Sequence, residues 1–207
     1  MAYPTVDAPY GFRPVNLLGG QVYSGSTRKI PIAKDHATNI FYGDLVSLSA
    51  NGCINKLTTT DALVAAIGVF MGCSYINSLG QRLYSQYYPA TVSQAVDDVN
   101  ETQAFIADDP DLLMKVAIVA GAASLVISAA NRIAMVGGGA IISQGTGLTI
   151  TGNSSQAILS ATAVTTTLPL KVVDVVRETM NASASFTEVI VTWNGGVHMY
   201  RTITPIG

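Results

Sequence analysis

The stretch Gly43 to Leu57, GDLVSLSANGCINKL, sets two short alternating runs on either side of Asn51-Gly52. Asn-Gly suits the left-handed conformations of a two-residue type I′ turn, so the segment reads as an antiparallel hairpin. The register that follows places Ala50 opposite Cys53, Leu48 opposite Asn55 and Val46 opposite Leu57 on one nearly apolar face. Ser47 then faces Lys56, and Ser49 faces Ile54, on the other. A two-stranded ribbon is marginal in isolation, so this hairpin has to lie on a larger sheet or a second layer.

The rest of the chain repeats the theme. IGVFMGCSY alternates Ile67, Val69, Met71, Cys73 and Tyr75 against small residues, and NSLGQ turns it into RLYSQYYPA, a second hairpin ended by Pro89. Ala104 to Val119 reads as strand, DDPD turn, strand. EVIVTW, NGG and VHMYRTI read as a last hairpin, with Trp193 facing Val197 and His198 on the opposite, outer side. LPLKVVDVVR before it reads as a strand covered on both faces. Gly121 to Thr167 is rich in Gly, Ala, Ser and Thr and reads as turns between short strands, with a short helix over Ser154 to Ala163. The fold class is therefore all-β, mainly antiparallel hairpins closed into a barrel or sandwich, with at most a short helix.

Residues 1–20 read as an extended N-terminal arm, because Pro4, Pro9 and Pro14 each fix φ and remove a donor, and Gly19-Gly20 closes the segment. Residues 21–207 form the β-rich domain, with a subdivision open near 110–165. Fully extended, such an arm reaches about 50 Å, and Tyr3, Tyr10 and Phe12 anchor it in a neighbour's groove. On that reading residues 1–14 are dispensable for the fold. The other reading is an arm folded back along its own sheet edge.

Composition narrows the function classes. The chain has 207 residues, of which 49% are hydrophobic and 12% charged, about half the usual charged fraction. Its polar surface is Ser, Thr, Asn and Gln, or it is covered by other subunits. A formal charge of -2 and eleven scattered Lys and Arg argue against a direct nucleic-acid binder. Val116 to Ala130 is apolar over 15 residues, short of the roughly 20 of a membrane helix, and reads as a strand with a tight turn at Gly121. The N-terminus lacks the pattern of a secretory signal, so the expected site of action lies inside the producing cell. The sequons at Asn100, Asn153 and Asn181 then carry no meaning. Cys53 and Cys73 have no metal or redox spacing and read as buried free thiols, with a disulfide open only if their strands are neighbours.

No chemistry-bearing motif emerges. G-x-S-x-G, H-E-x-x-H and phosphate-loop patterns are missing, and Asp108, Asp109 and Asp111 lack the spacing of a calcium loop. His36 sits in a polar loop, where a solvated side chain is expected, and His198 points to the outer side as a surface or interface group. Asp97-Asp98 and Asp108-Asp109 are neighbours that a strand sends to opposite faces. The expectation is a protein with no catalytic residue, no cofactor and no metal.

Several segments, in order, resemble the auxiliary capsid proteins of tailed bacteriophages known as decoration or cement proteins. They are DAPYGFRPV (Asp7 to Val15), ATNIFYGDLVSLSANGCI (Ala37 to Ile54), IGVFMGCSYINSLGQRLYSQYYPA (Ile67 to Ala90), AFIADDPDLLMKV (Ala104 to Val116) and, more weakly, TEVIVTWNGGVHMY (Thr187 to Tyr200), about half of the chain. Gly121 to Thr167 has no counterpart. The resemblance implies a protein of the virion, present in host cytoplasm during assembly, that binds the major capsid protein and locks the expanded head against packaged DNA. It also implies a small symmetric homo-oligomer, commonly a trimer, with no membrane partner. Tyr3, Tyr10, Phe12, Arg13, Pro14, Tyr84, Tyr87 and Tyr88 are the residues expected at the capsid or subunit interface. Replacing both His36 and His198 by Asn is expected to leave shell stabilisation unaltered. Two other readings stay open: a tail-fibre or adhesin-like module whose Tyr84, Tyr87 and Tyr88 contact a glycan, and the major shell subunit itself.

Overall fold

The computed structural model describes residues 6–33, 36–59, 65–90, 102–119, 134–159, 168–179 and 186–202. Among them the chain is nearly all β and forms two mainly antiparallel layers, one of which curls into a near-barrel; the pairing of Ala157–Leu159 with Leu112–Val119 is parallel. After β1 (Arg13–Leu17), six strands build the first sheet: β2 (Arg28–Pro31), β3 (Leu45–Leu48), β4 (Ile54–Lys56), β5 (Ala66–Ile76), β6 (Arg82–Ser85) and β7 (Gln103–Ala107). Their order is β2-β7-β5-β3-β4, with β6 also on β5. A parallel bridge between Ile32 and Ile54 brings the last strand back to the first. Ile30, Ile32, Val46, Ile54, Ile67, Phe70, Cys73, Tyr88 and Ile106 fill the interior of this near-barrel.

The second sheet holds β8 (Leu112–Val119), β9 (Gly139–Ala140), β10 (Ile142–Ser143), β11 (Ala157–Leu159), β12 (Leu170–Val175) and β13 (Phe186–Trp193), in the order β10-β11-β8-β13-β12-β9. It packs on the outside of the near-barrel. Leu112, Met114, Val116 and Ile118 from β8, and Val189, Val191 and Trp193 from β13, meet Leu45, Leu57 and Val69 from the first layer. The DDPD segment is the corner between layers, because β7 pairs in the first sheet and β8 in the second. Asp109 Oδ1 accepts from Asp111 N at 2.8 Å, the turn chemistry expected of these residues.

The opening hairpin forms, but one residue out of the expected register. Leu48 pairs with Ile54, Ser47 with Asn55 and Val46 with Lys56, and Ser49 N donates to Cys53 O at 2.8 Å. The loop is thus three residues, Ala50 to Gly52, with Gly52 at φ 78° and its N–H donating to Ser49 O at 2.9 Å. This is a type I turn followed by a left-handed glycine, which competes with type I′ for the same Asn-Gly. The shift matters: Leu45 and Leu57 enter the interlayer core, while Val46 and Ile54 enter the barrel. NSLGQ closes the second hairpin the same way, with Gly80 at φ 77° and its N–H on Asn77 O at 2.9 Å. A Cβ on Gly52 meets open space, so Gly52→Val strains the backbone without a clash. It should cost about 1–2 kcal/mol, read as a lower urea midpoint with an unchanged slope.

Other expectations give way to pairing that the local pattern does not encode. β5 bulges between Phe70 and Cys73, so Ile67, Phe70 and Cys73 point into the barrel and Val69 points out, instead of one continuous alternation. The last hairpin does not form. Asn194 to Val197 does turn, yet both sides of β13 are taken by β8 and β12. The chain therefore leaves the sheet, bridges Ala66 through His198 and ends in a 3-10 turn, Met199–Arg201. β12 is covered on one face only, since Lys171 and Asp174 are exposed. Ala157–Leu159 is a strand where a helix was expected, because it pairs with β8 and β10. The turn at Gly121, the pair Asp97-Asp98, and Tyr3 lie outside the described residues.

The N-terminal segment folds back on its own domain. β1 pairs antiparallel with β8, Arg13 opposite Lys115 and Pro14 opposite Met114, a position where a proline is tolerated at the margin of a sheet. Gly11 N donates to Gln156 O at 3.1 Å and Phe12 N to Gly43 O at 2.8 Å. Phe12 lies wholly within the interlayer core. From Tyr10 to Leu17 the chain is a part of the body, and the reach of about 50 Å expected for a free arm does not apply to it.

Candidate functional site

Three polar constellations stand out, and the first is a buried seam between the layers. The chain turns at Phe41 to Asp44, where Asp44 Oδ2 accepts from Phe41 N at 2.8 Å and Asp44 N donates to Phe41 O at 2.9 Å. The Asp44 carboxylate is 0% exposed. It meets Lys56 Nζ at 3.3 Å and accepts from Ser154 Oγ at 2.6 Å. Burial raises its pKa above the usual carboxylate range, opposed by Lys56, Ser154 and the Phe41 N–H. Beside it the buried Gln156 accepts from Leu45 N at 2.7 Å and donates to Leu57 O at 3.2 Å and Gln144 Oε1 at 2.8 Å. Gly11 completes the seam at φ 82°, where a Cβ would lie 2.6 Å from Ser154 Cβ and 2.7 Å from Gly43 O. Only glycine lets the N-terminal segment approach this closely. The seam ties four distant segments together and has no open position for a substrate.

The second constellation contains the predicted Tyr10 and Arg13. The Arg13 guanidinium lies over the Tyr42 ring at 4.0 Å and near the Tyr10 ring at 5.6 Å. Its Nη2 donates to Asn153 Oδ1 at 2.8 Å. Tyr10 OH donates to the Glu188 carboxylate, which also pairs with Lys115 Nζ at 3.0 Å. Burial first, and then the hydrogen bond and charge of Glu188, raise the phenol well above its ordinary pKa. Asn153 Oδ1 further accepts from Gln86 Nε2 at 2.9 Å, linking this cluster to the end of β6.

The predicted interface residues therefore divide. Phe12 and Tyr88 are core, which corrects their assignment to an exposed interface, since each fills an apolar layer. Pro14 is a half-buried strand residue. Tyr87 stacks on Phe41 at 5.4 Å, nearly parallel. Tyr84 alone of the tyrosine cluster is widely exposed, at 74%. Tyr42, Gln86, Asn153 and Glu188 were missed. Tyr42 had a local signal, being two residues before Asp44 at the mouth of the opening hairpin. Glu188 had none, because its partner Tyr10 is 178 positions away.

His198 is not the surface or interface group expected, and His36 is only partly solvated. His198 is buried, with Nε2 3.0 Å from Ile67 O and Nδ1 accepting from Tyr200 N at 3.3 Å. Those partners assign the neutral tautomer with its proton on Nε2, donating to Ile67 O. Burial lowers its pKa, opposed by the Ile67 carbonyl. His36 is half-buried, its ring 6.0 Å from that of Tyr88, and burial lowers its pKa as well. His198→Asn should therefore lower the stability of the fold. A histidine whose folded pKa lies below its unfolded value contributes stability that is present above the unfolded pKa and is lost as pH falls toward the folded one. Thermal stability should thus decline as pH falls below about 6.5. His198→Gln should be less stable at pH 7 yet show a shallower decline between pH 7 and 5. An unchanged slope in thermal melts would assign the pH response elsewhere.

Cys53 and Cys73 are buried free thiols, as expected. Burial pushes Cys73 up to about 12, far from a reactive thiolate at neutral pH. Among the described residues no group of three His, Cys, Asp or Glu is placed to hold a metal ion, and no helix is long and apolar enough to cross a membrane.

The third constellation is a groove on the outer wall of the near-barrel, lined in part by Tyr42, Tyr84, Gln86 and Phe105. No known protein family, curated protein or solved structure matches the chain.

Proposed function

We propose that this chain is a structural protein of a tailed-phage virion, a decoration or cement protein that binds the major capsid protein on the expanded head and stabilises it against internal DNA pressure. The observation that carries the reading is a two-layer β frame with large apolar side chains exposed on two of its loops. Leu79, at the tip of the β5–β6 hairpin, is 79% exposed, and Ile150, in the loop before β11, is 97% exposed. The hairpin and that loop are joined by the Gln86–Asn153 hydrogen bond. Each of the two side chains is apolar area that a partner's surface can remove from water. The ordered segments that resemble the decoration family support the same reading.

The energetics are modest per site. A protein that binds only the expanded lattice stabilises it by about 3 kcal/mol per site at a hundredfold excess over Kd, and a small oligomer, a trimer in this proposal, gains further by multivalent contact. The role requires no reaction, cofactor, nucleic-acid contact or membrane partner, in keeping with a formal charge of -2.

Purified protein should co-sediment with expanded shells of the phage that encodes it and not with unexpanded ones. The pair Leu79→Asp and Ile150→Asp should weaken shell binding by about tenfold or more while leaving the melting temperature within a degree or two, because both side chains are exposed. Full occupancy by the double variant would remove the loop tips from the interface.

A further inference from the structure

The groove on the barrel wall is built around a gap in β5. Met71 and Gly72 together stand opposite the single Phe105 of β7, since the register passes from Phe70↔Ile106 to Cys73↔Ala104. Gly72 contributes no side chain there. Over this bare stretch the rings of Tyr84 and Phe105 lie nearly parallel, with centroids 6.4 Å apart and 11° between planes. A third ring, Tyr42, closes one end and is held by the Arg13 guanidinium at 4.0 Å. Gln86 stands beside it with its amide nitrogen fixed on Asn153 Oδ1. The groove is shallow and open to solvent, with a volume of about 620 Å³, a shape suited to an extended ligand laid along the surface more than to one engulfed in a cleft.

We propose that this groove binds a neutral oligosaccharide. The exposed ring of Tyr84 suits the C–H face of a pyranose ring, and the Gln86 amide and the Tyr42 hydroxyl supply directional partners for sugar hydroxyls. None of the groove's lining residues is charged, which disfavours phosphates, nucleotides and acidic sugars, all of which need a cation to replace lost hydration. Lys29 approaches the Phe105 ring at 5.9 Å without lining the groove. The supporting side chains are preset: Arg13 and Asn153 fix Tyr42 and Gln86 before any ligand arrives, which lowers the ordering cost of binding. The shell reading is tested at Leu79 and Ile150 and the sugar reading at Tyr84 and Gln86 with saccharides alone, so the failure of one is distinguishable from the failure of the other.

The test uses the purified full chain on an array of immobilised neutral oligosaccharides of glucose, galactose, mannose and N-acetylglucosamine, with hits repeated in solution by saturation-transfer NMR. Saturable binding to at least one neutral oligosaccharide is expected. Tyr84→Ala should weaken it by about tenfold or more and Gln86→Ala by a similar order, whereas Tyr84→Phe should stay within about threefold. The melting temperature of Tyr84→Ala should stay at the wild-type value, as the ring is exposed. No neutral saccharide bound, binding of acidic glycans alone, or binding indifferent to Tyr84→Ala would each overturn the proposal. So would loss of shell occupancy in Tyr84→Ala without saccharide binding by the wild type, which would make the groove a protein-docking face.

Discussion

Asp44→Ala should lower the unfolding free energy by about 3–5 kcal/mol. The carboxylate is fully buried and serves Lys56, Ser154 and the Phe41 N–H together. Truncation leaves an ammonium whose side chain is only 12% exposed without its counter-charge, and two donors without an acceptor. The cost comes from these stranded partners more than from the net strength of the pair, since burial itself disfavours the charged carboxylate. A double variant, Asp44→Ala with Lys56→Met, should therefore recover part of the loss, because it removes the stranded charge. Urea denaturation of the two single variants and the double variant gives the coupling directly. A loss below about 1 kcal/mol for Asp44→Ala would mean that the seam is hydrated and does not hold the layers together.

Phe12→Ala should cost about 3–5 kcal/mol, the range for emptying a fully buried aromatic site. Phe12 is packed among residues of both sheets, and its backbone N–H is spent on Gly43 O. Deleting residues 1–14 should be worse, since it removes Phe12, the Gly11–Gln156 bond and the first β1–β8 pairs. This reverses the expectation that the segment is dispensable. A chain lacking only residues 1–9 keeps Tyr10, Phe12 and β1 and should fold with little loss. Circular dichroism and thermal melts of the two truncations separate the cases. Equal stability of both would return the segment to the status of a free arm.

How far the sequence could be read follows from the range of each interaction. The two hairpins at Asn51-Gly52 and Leu79-Gly80 were legible because turn chemistry acts over five residues. Their exact register was not, because a three-residue loop and a two-residue loop both want glycine at the same place. The bulge at Met71 and Gly72 was hidden for a related reason: a small residue in an alternating strand looks the same whether it lies flat or kinks. The fate of His198 was not legible, since it depended on β13 already having β8 and β12 as neighbours. Tyr10 and Arg13 were picked out from the N-terminal segment, but Glu188 and Asn153, which give them their geometry, lie 178 and 140 positions away. Tyr84 was placed in a cluster with Tyr87 and Tyr88, and strand pairing then sent the three side chains to solvent, to Phe41 and to the barrel interior.

The shell reading accounts for the combination of a two-layer β frame and apolar side chains exposed on its loops. It predicts where the protein should be found and in what state of the particle. The direct measurement is a cryo-electron microscopy map of phage heads, expanded and unexpanded, each incubated with the purified chain. The account predicts ordered β-rich density at symmetry-related positions on the expanded heads alone, with the loops carrying Leu79 and Ile150 against major capsid subunits. Heads of both forms left bare at saturating protein would contradict it.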